Sequence, residues 1–115
     1  MIDTLIAAVV LDSDREPPVS RSAPTAAVRF LKCVAAHESG TTPNPAKARN
    51  PRSSAAGVFQ MLTGTWRHYA AAVPSARRYA TADRAPARVQ WEVALLAVKW
   101  HGHGNWRGTR CGYGT

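Results

Sequence analysis

Two stretches decide how the chain folds: Phe30–Gly40, FLKCVAAHESG, and, after a loop rich in Pro and Arg, Ser53–Trp66, SSAAGVFQMLTGTW. Pro24 and Thr25 form a helix start, with Thr25 as N-cap, and apolar residues at helical spacing run from Ala26 to His37 until Gly40 stops the helix. Glu38 therefore falls in the last turn. Ala27, Leu31, Val34 and Ala35 share its face, so the spacing predicts a carboxyl group looking into apolar surroundings. Desolvation and the negative end of the helix dipole both disfavour its charged form, which would keep a proton on Glu38 near neutrality, as a general acid requires. The residues by themselves also allow a surface glutamate, since charged side chains usually stay in water.

The second stretch predicts a tight turn and a short helix. Gly57, after two alanines and before Val58-Phe59-Gln60, lets the backbone pass close to another segment or to a sugar ring; an ordinary turn glycine fits the local sequence equally well. Gln60 carries an amide suited to reading hydroxyl and acetamido groups. Thr63 is expected to cap a short helix that turns Trp66 and Tyr69 inward and ends before Pro74. Trp66 reads as a core aromatic rather than a sugar platform.

Taken in order, ESG, AAGVFQ and TW resemble the lysozyme-like superfamily, in particular the resuscitation-promoting factor and lytic transglycosylase domains of actinobacteria and their phages. The resemblance spans residues 28 to 112. It implies a mainly α, small lysozyme-like single domain with little or no sheet, Glu38 as the catalytic acid, and Gly57, Gln60 and Thr65 near a glycan cleft. Thr63 and Gly64 stand where such domains often have proline and serine, a departure that bears on the shape of the turn and leaves the acid untouched.

The C-terminal part extends the pattern. Pro86 opens a helix whose residues Ala87 to Trp100 are apolar nearly all round, with Arg88, Gln90, Glu92 and Lys99 as the polar exceptions, until Gly102 and Gly104 end it. The segment HGHGNWRGTRCG resembles the closing segment of the resuscitation-promoting factor domains, with His101 in place of a glutamine that contacts the sugar. A His-Gly-His pair without thiolates at ligand spacing is a weak metal signal, so no metal or other cofactor is expected. Read alone, Cys33 and Cys111 could be two buried thiols; the resemblance implies that they are paired in a disulfide, which belongs to an extracellular protein.

The chain has 115 residues, 45% of them hydrophobic, enough for one domain with a modest core. Its formal net charge is +8. Asp3, Asp12, Asp14 and Glu16 cluster at the start, so residues 17–115 hold fourteen Lys and Arg against Glu38, Asp83 and Glu92, a net charge of +11. Such a body suits an anionic partner, here the glycan strands of peptidoglycan and anionic cell-wall polymers. Nucleic acid is the rival partner, but the basic residues are scattered and no binding-motif spacing is present. A third reading is a non-catalytic tail or wall-binding protein on the same scaffold, meeting other virion tail proteins, because a fold does not fix a function.

Residues 1–22 read as an N-terminal apolar segment and linker ahead of a catalytic domain at 23–115. The apolar run from Leu5 to Leu11 is too short to span a bilayer, and Asp3 stands where a signal peptide is positive. A wall-active enzyme of this kind is expected outside the cell or at the wall, carried in a virion, released by a holin, or cut from a longer precursor. Counting carboxylates favours a single-acid mechanism. A two-carboxylate glycosidase needs a partner across the cleft, and only Asp83, expected to cap or to face solvent, and Glu92, expected on a helix surface, are available. In the family it resembles, one glutamate protonates the glycosidic oxygen between N-acetylmuramic acid and N-acetylglucosamine, then takes the proton from the muramic C6 hydroxyl to leave an anhydro sugar. Lytic transglycosylase chemistry is therefore expected first and lysozyme-type hydrolysis second.

Overall fold

The computed structural model describes residues 25–112; the N-terminal apolar segment, the linker and Pro24 lie outside them. Among the described residues three α-helices carry the structure: α1 (Thr25–Ser39), α2 (Thr63–Ala70) and α3 (Ala87–His101). Short 3-10 turns at Pro45–Lys47 and Ala82–Arg84 and a kinked 3-10 run at Gly104–Thr109 complete it. Among the described residues strand structure is confined to two isolated antiparallel bridges, Arg49 with Ala56 and Ala56 with Met61. The domain is thus small and mainly helical, as expected.

α3 is the central element and packs against α1, α2 and the closing 3-10 run. Its sequence explains this position. Val89, Trp91, Val93, Ala94 and Ala97 are all buried, and the alanines let neighbouring helices approach. Gly102 ends the helix with a left-handed φ of 61°. α1 contributes Phe30, Leu31 and Val34 to the same core, each large apolar side chain worth roughly 1.5–3 kcal/mol when fully buried. It stops where predicted: a Cβ on Gly40 would run into the carbonyl of Ala36, and Thr42 supplies both its backbone N–H and its hydroxyl to the Ser39 carbonyl, at 3.0 and 2.8 Å. Among the described residues no helix is long and apolar enough to cross a membrane.

α2 differs from the expectation in its start. Thr63 is the first helical residue, Leu62 holds the cap position without a side-chain bond, and the Thr63 N–H is taken by the Ser54 hydroxyl at 3.1 Å. A tertiary contact does the work assigned to a local cap. Trp66 is a fully buried core residue, and its indole N–H donates to the Tyr79 carbonyl at 2.8 Å.

Cys33 and Cys111 form a disulfide across 78 residues of sequence, tying α1 to the chain's end. In the chain-entropy account, closing a loop of that length contributes about 4.5 kcal/mol, a large share for a small domain.

One polar side chain organises this apolar interior. Gln90, in the middle of α3, is 1% exposed. Its Oε1 accepts the Val58 N–H at 2.8 Å, and its Nε2 donates to the carbonyls of Ala46 and Ala85 at 3.0 and 2.9 Å. Each such group left unpaired in the interior costs about 1–3 kcal/mol. We predict that Gln90→Leu, of similar volume but unable to bond, lowers the unfolding free energy by about 3 kcal/mol or more in urea titration; a loss under about 1 kcal/mol would show that the amide does not organise the core.

Candidate functional site

The site is built around residues 55–61, held in place from several sides. Gly57 turns the chain with a φ of 83°. The close approach expected of it is to Gln90, whose amide fills the space a Cβ would need, with Ala82 behind it. Gly57 is buried, so its part is to shape the backbone. Gln60 is half-buried with a φ of 50°, unusual for a residue with a side chain. Its Nε2 donates to the Gly57 and Ala48 carbonyls at 3.0 and 3.3 Å. The donors expected to read a sugar are therefore spent clipping the turn. Trp106 holds the neighbouring residue, its indole N–H donating to the Phe59 carbonyl at 3.0 Å.

Ser39 links this turn to the candidate acid. It is buried, and its hydroxyl donates to the Val58 carbonyl at 2.7 Å. The last turn of α1, with Glu38 in it, is thereby fastened to the turn at 57–60. Glu38 is half-buried, and no hydrogen bond or ion pair among the described residues engages its carboxylate. Burial pushes its pKa above the ordinary 4.5, and the charge of the adjacent His37 offsets only part of this. A carboxyl group so placed holds its proton to higher pH and can give it to a bound molecule.

The other two acids of the domain body are engaged. Asp83 sits in the Ala82–Arg84 turn, where Arg49 reaches it at 2.8 Å and the Thr81 hydroxyl donates to it at 2.7 Å. Partial burial pushes its pKa up, but these two hydrogen bonds and the Arg49 charge outweigh it and hold Asp83 below the ordinary carboxylate range. Glu92, partly buried on α3, accepts the Ser75 hydroxyl at 2.7 Å.

Thr65 lies in the first half of α2, partly exposed, on the same helical stripe as His68 and Tyr69. His101 ends α3, exposed, and its Nδ1 is 2.5 Å from the Tyr69 hydroxyl, which also accepts a 2.9 Å bond from Asn105. Thr65 and His101 thus stand at one α2–α3 junction. The His-Gly-His pair is divided, since His103 instead stacks on Phe30 at a ring distance of 3.9 Å. Cys33, His37 and Cys111 bring ligand-type atoms within 4.8 Å of one another, but the two sulfurs are bonded together, and a metal takes the thiolate.

Sequence reasoning singled out Glu38 and passed over Ser39, Gln90, Asn105 and Trp106. Gln90 carried a signal, as a polar residue in a helix apolar nearly all round. Ser39 and Asn105 carried none beyond their adjacency to named residues. No family model, no curated protein and no solved structure matches this chain.

The raised pKa of Glu38 makes a prediction about stability. The folded protein binds this proton more tightly than the unfolded chain, so the stability Glu38 contributes is fully present below about pH 4.5 and is lost as pH rises through the folded pKa. Glu38→Gln, always neutral, should therefore gain melting temperature relative to the parent as pH rises from 4 to 7. A difference that is flat across this range would contradict the burial of the charge.

Proposed function

We propose that the chain is a peptidoglycan-cleaving glycosidase, a lytic transglycosylase of the lysozyme-like kind, acting on the bond from N-acetylmuramic acid to N-acetylglucosamine. The observation that carries this reading is the half-buried Glu38 at the end of α1, whose carboxylate has no hydrogen bond or ion pair among the described residues, beside a turn shaped by Gly57 and Gln90. The order of the motifs ESG, AAGVFQ and TW, and their resemblance to that superfamily, supports it.

In this mechanism protonated Glu38 gives its proton to the glycosidic oxygen, the bond from muramic C1 to that oxygen breaks, and N-acetylglucosamine departs with a free hydroxyl. The positive charge left on the muramic ring is met by its own C6 hydroxyl oxygen. Glu38, now a carboxylate, takes the C6 proton as the new C1–O bond closes, and so returns to its starting state. One acid suffices, and no water is consumed. The engagement of Asp83 with Arg49 and of Glu92 with Ser75 fits this single-residue cycle better than one that needs a second free carboxylate across the cleft.

The disulfide suits an oxidising place of action outside the cell, at the wall or carried there in a virion. The surplus of Lys and Arg suits retention on anionic wall polymers.

Clearing of purified cell walls tests the reading. Glu38→Gln should lower the rate by at least about 10²-fold, in the range of general acid–base catalysis, while Asp83→Asn and Glu92→Gln stay close to the parent. A Glu38→Gln protein that clears walls at most of the parent rate would remove the acid from its role.

A further inference from the structure

Of the four tryptophans in the chain, Trp66, Trp91 and Trp106 are buried, whereas Trp100, at the end of α3, is 46% exposed. It does not stand alone. His68 and Tyr69 of α2 and His101 of α3 surround it, and all six pairings of these four rings have centroids 4.8 to 6.5 Å apart. Tyr69 is buried beneath, and its hydroxyl bonds to both Asn105 and His101, so the rings rest on a fixed support. His68, His101 and Asn105 are exposed beside the indole. Asp83 and Glu92 are held elsewhere by Arg49 and Ser75.

We propose that the Trp100–His68 surface, supported by Tyr69, His101 and Asn105, is a carbohydrate platform that binds N-acetylhexosamine rings of a glycan strand. The chemistry of the surface selects this ligand. A pyranose ring has an apolar face of C–H groups that packs on an aromatic ring, and an edge of hydroxyl and acetamido groups that needs donors and acceptors. The cluster offers both within one support, a half-exposed indole and the polar edges of two imidazoles and an amide. Its position suits the same strand. Asn105 precedes Trp106, which holds the Phe59 carbonyl, while Ser39 beside Glu38 holds the adjacent Val58 carbonyl. The residues next to Asn105 and to Glu38 are thus fastened to successive residues of one turn. The choice of a glycan rests on the function proposed above, and the platform makes that function specific: it would hold the strand while Glu38 cuts it.

Because the other indoles are buried, acrylamide quenching of tryptophan fluorescence reports Trp100. The tetramer of β-1,4-linked N-acetylglucosamine should shield the parent protein from acrylamide, and Trp100→Ala should lose the shielding. Calorimetry with the same tetramer should show Kd raised about tenfold or more in Trp100→Ala, with Trp100→Phe restored to within about threefold of the parent. On cell walls, Trp100→Ala should raise KM with kcat nearly unchanged. Tetramer binding equal to the parent in Trp100→Ala, or no shielding of the parent at any tetramer concentration, overturns the platform. So does self-association of the parent that Trp100→Ala abolishes, which would make the cluster a contact between copies. Catalysis is judged apart: a parent that binds the tetramer through Trp100 but never cleaves walls refutes the glycosidase and leaves the platform standing.

Discussion

Everything near the candidate acid depends on one buried amide. Gln90 reaches from the centre of α3 to the Val58 N–H and to the carbonyls of Ala46 and Ala85, bonding the turn at 57–60 and the two 3-10 turns at Pro45–Lys47 and Ala82–Arg84. A loop buried in an apolar interior must find partners for its backbone groups or stay at the surface. With them supplied, residues 55–61 can lie inside the domain, and α1 can end against them through Ser39. Gly57 completes the fit, since only a residue without a Cβ leaves room for the amide at a left-handed φ.

The position of Glu38 follows from this arrangement. The same helix end that anchors Ser39 inside the protein leaves its neighbour half out of water, with no hydrogen-bond donor on its carboxylate among the described residues and only the charge of His37 to offset part of the burial. The contrast with Asp83 is physical rather than positional. Arg49 and Thr81 supply what the Asp83 charge needs, so its proton is released early, while at Glu38 burial outweighs the charge of His37. Two carboxylates whose surroundings move their pKa values apart suit different tasks, and Glu38 is the one that burial makes hold its proton to higher pH.

Much of the fold was legible in the sequence because its signals are local. Helical spacing in α1, Gly40 at its end, Pro86 before α3 and Gly102 after it place α1 and α3, and Glu38 in a last turn with them. What escaped depends on contacts between distant residues. Ser54 takes the N–H at the start of α2, which local chemistry assigns to Thr63. Gln60 looked like a reader of sugars, but the turn bends its amide back onto its own backbone. Gln90 bonds residues 32 and 44 positions away, and no periodicity encodes that. His101 was placed in a site by resemblance, but its pairing with Tyr69 and its neighbours Trp100 and Asn105 emerge only when α2 and α3 are packed together.

The central claim is that a single carboxyl group, that of Glu38, does all the proton transfer in a cleavage that excludes water. Mass spectrometry of the fragments released from purified peptidoglycan tests it most directly, because internal closure and hydrolysis leave ends that differ by one water. The account predicts 1,6-anhydromuramic ends as the dominant product. Reducing muramic ends as the dominant product would contradict it, since water would then have taken the place of the C6 hydroxyl and a second group would be needed to activate it.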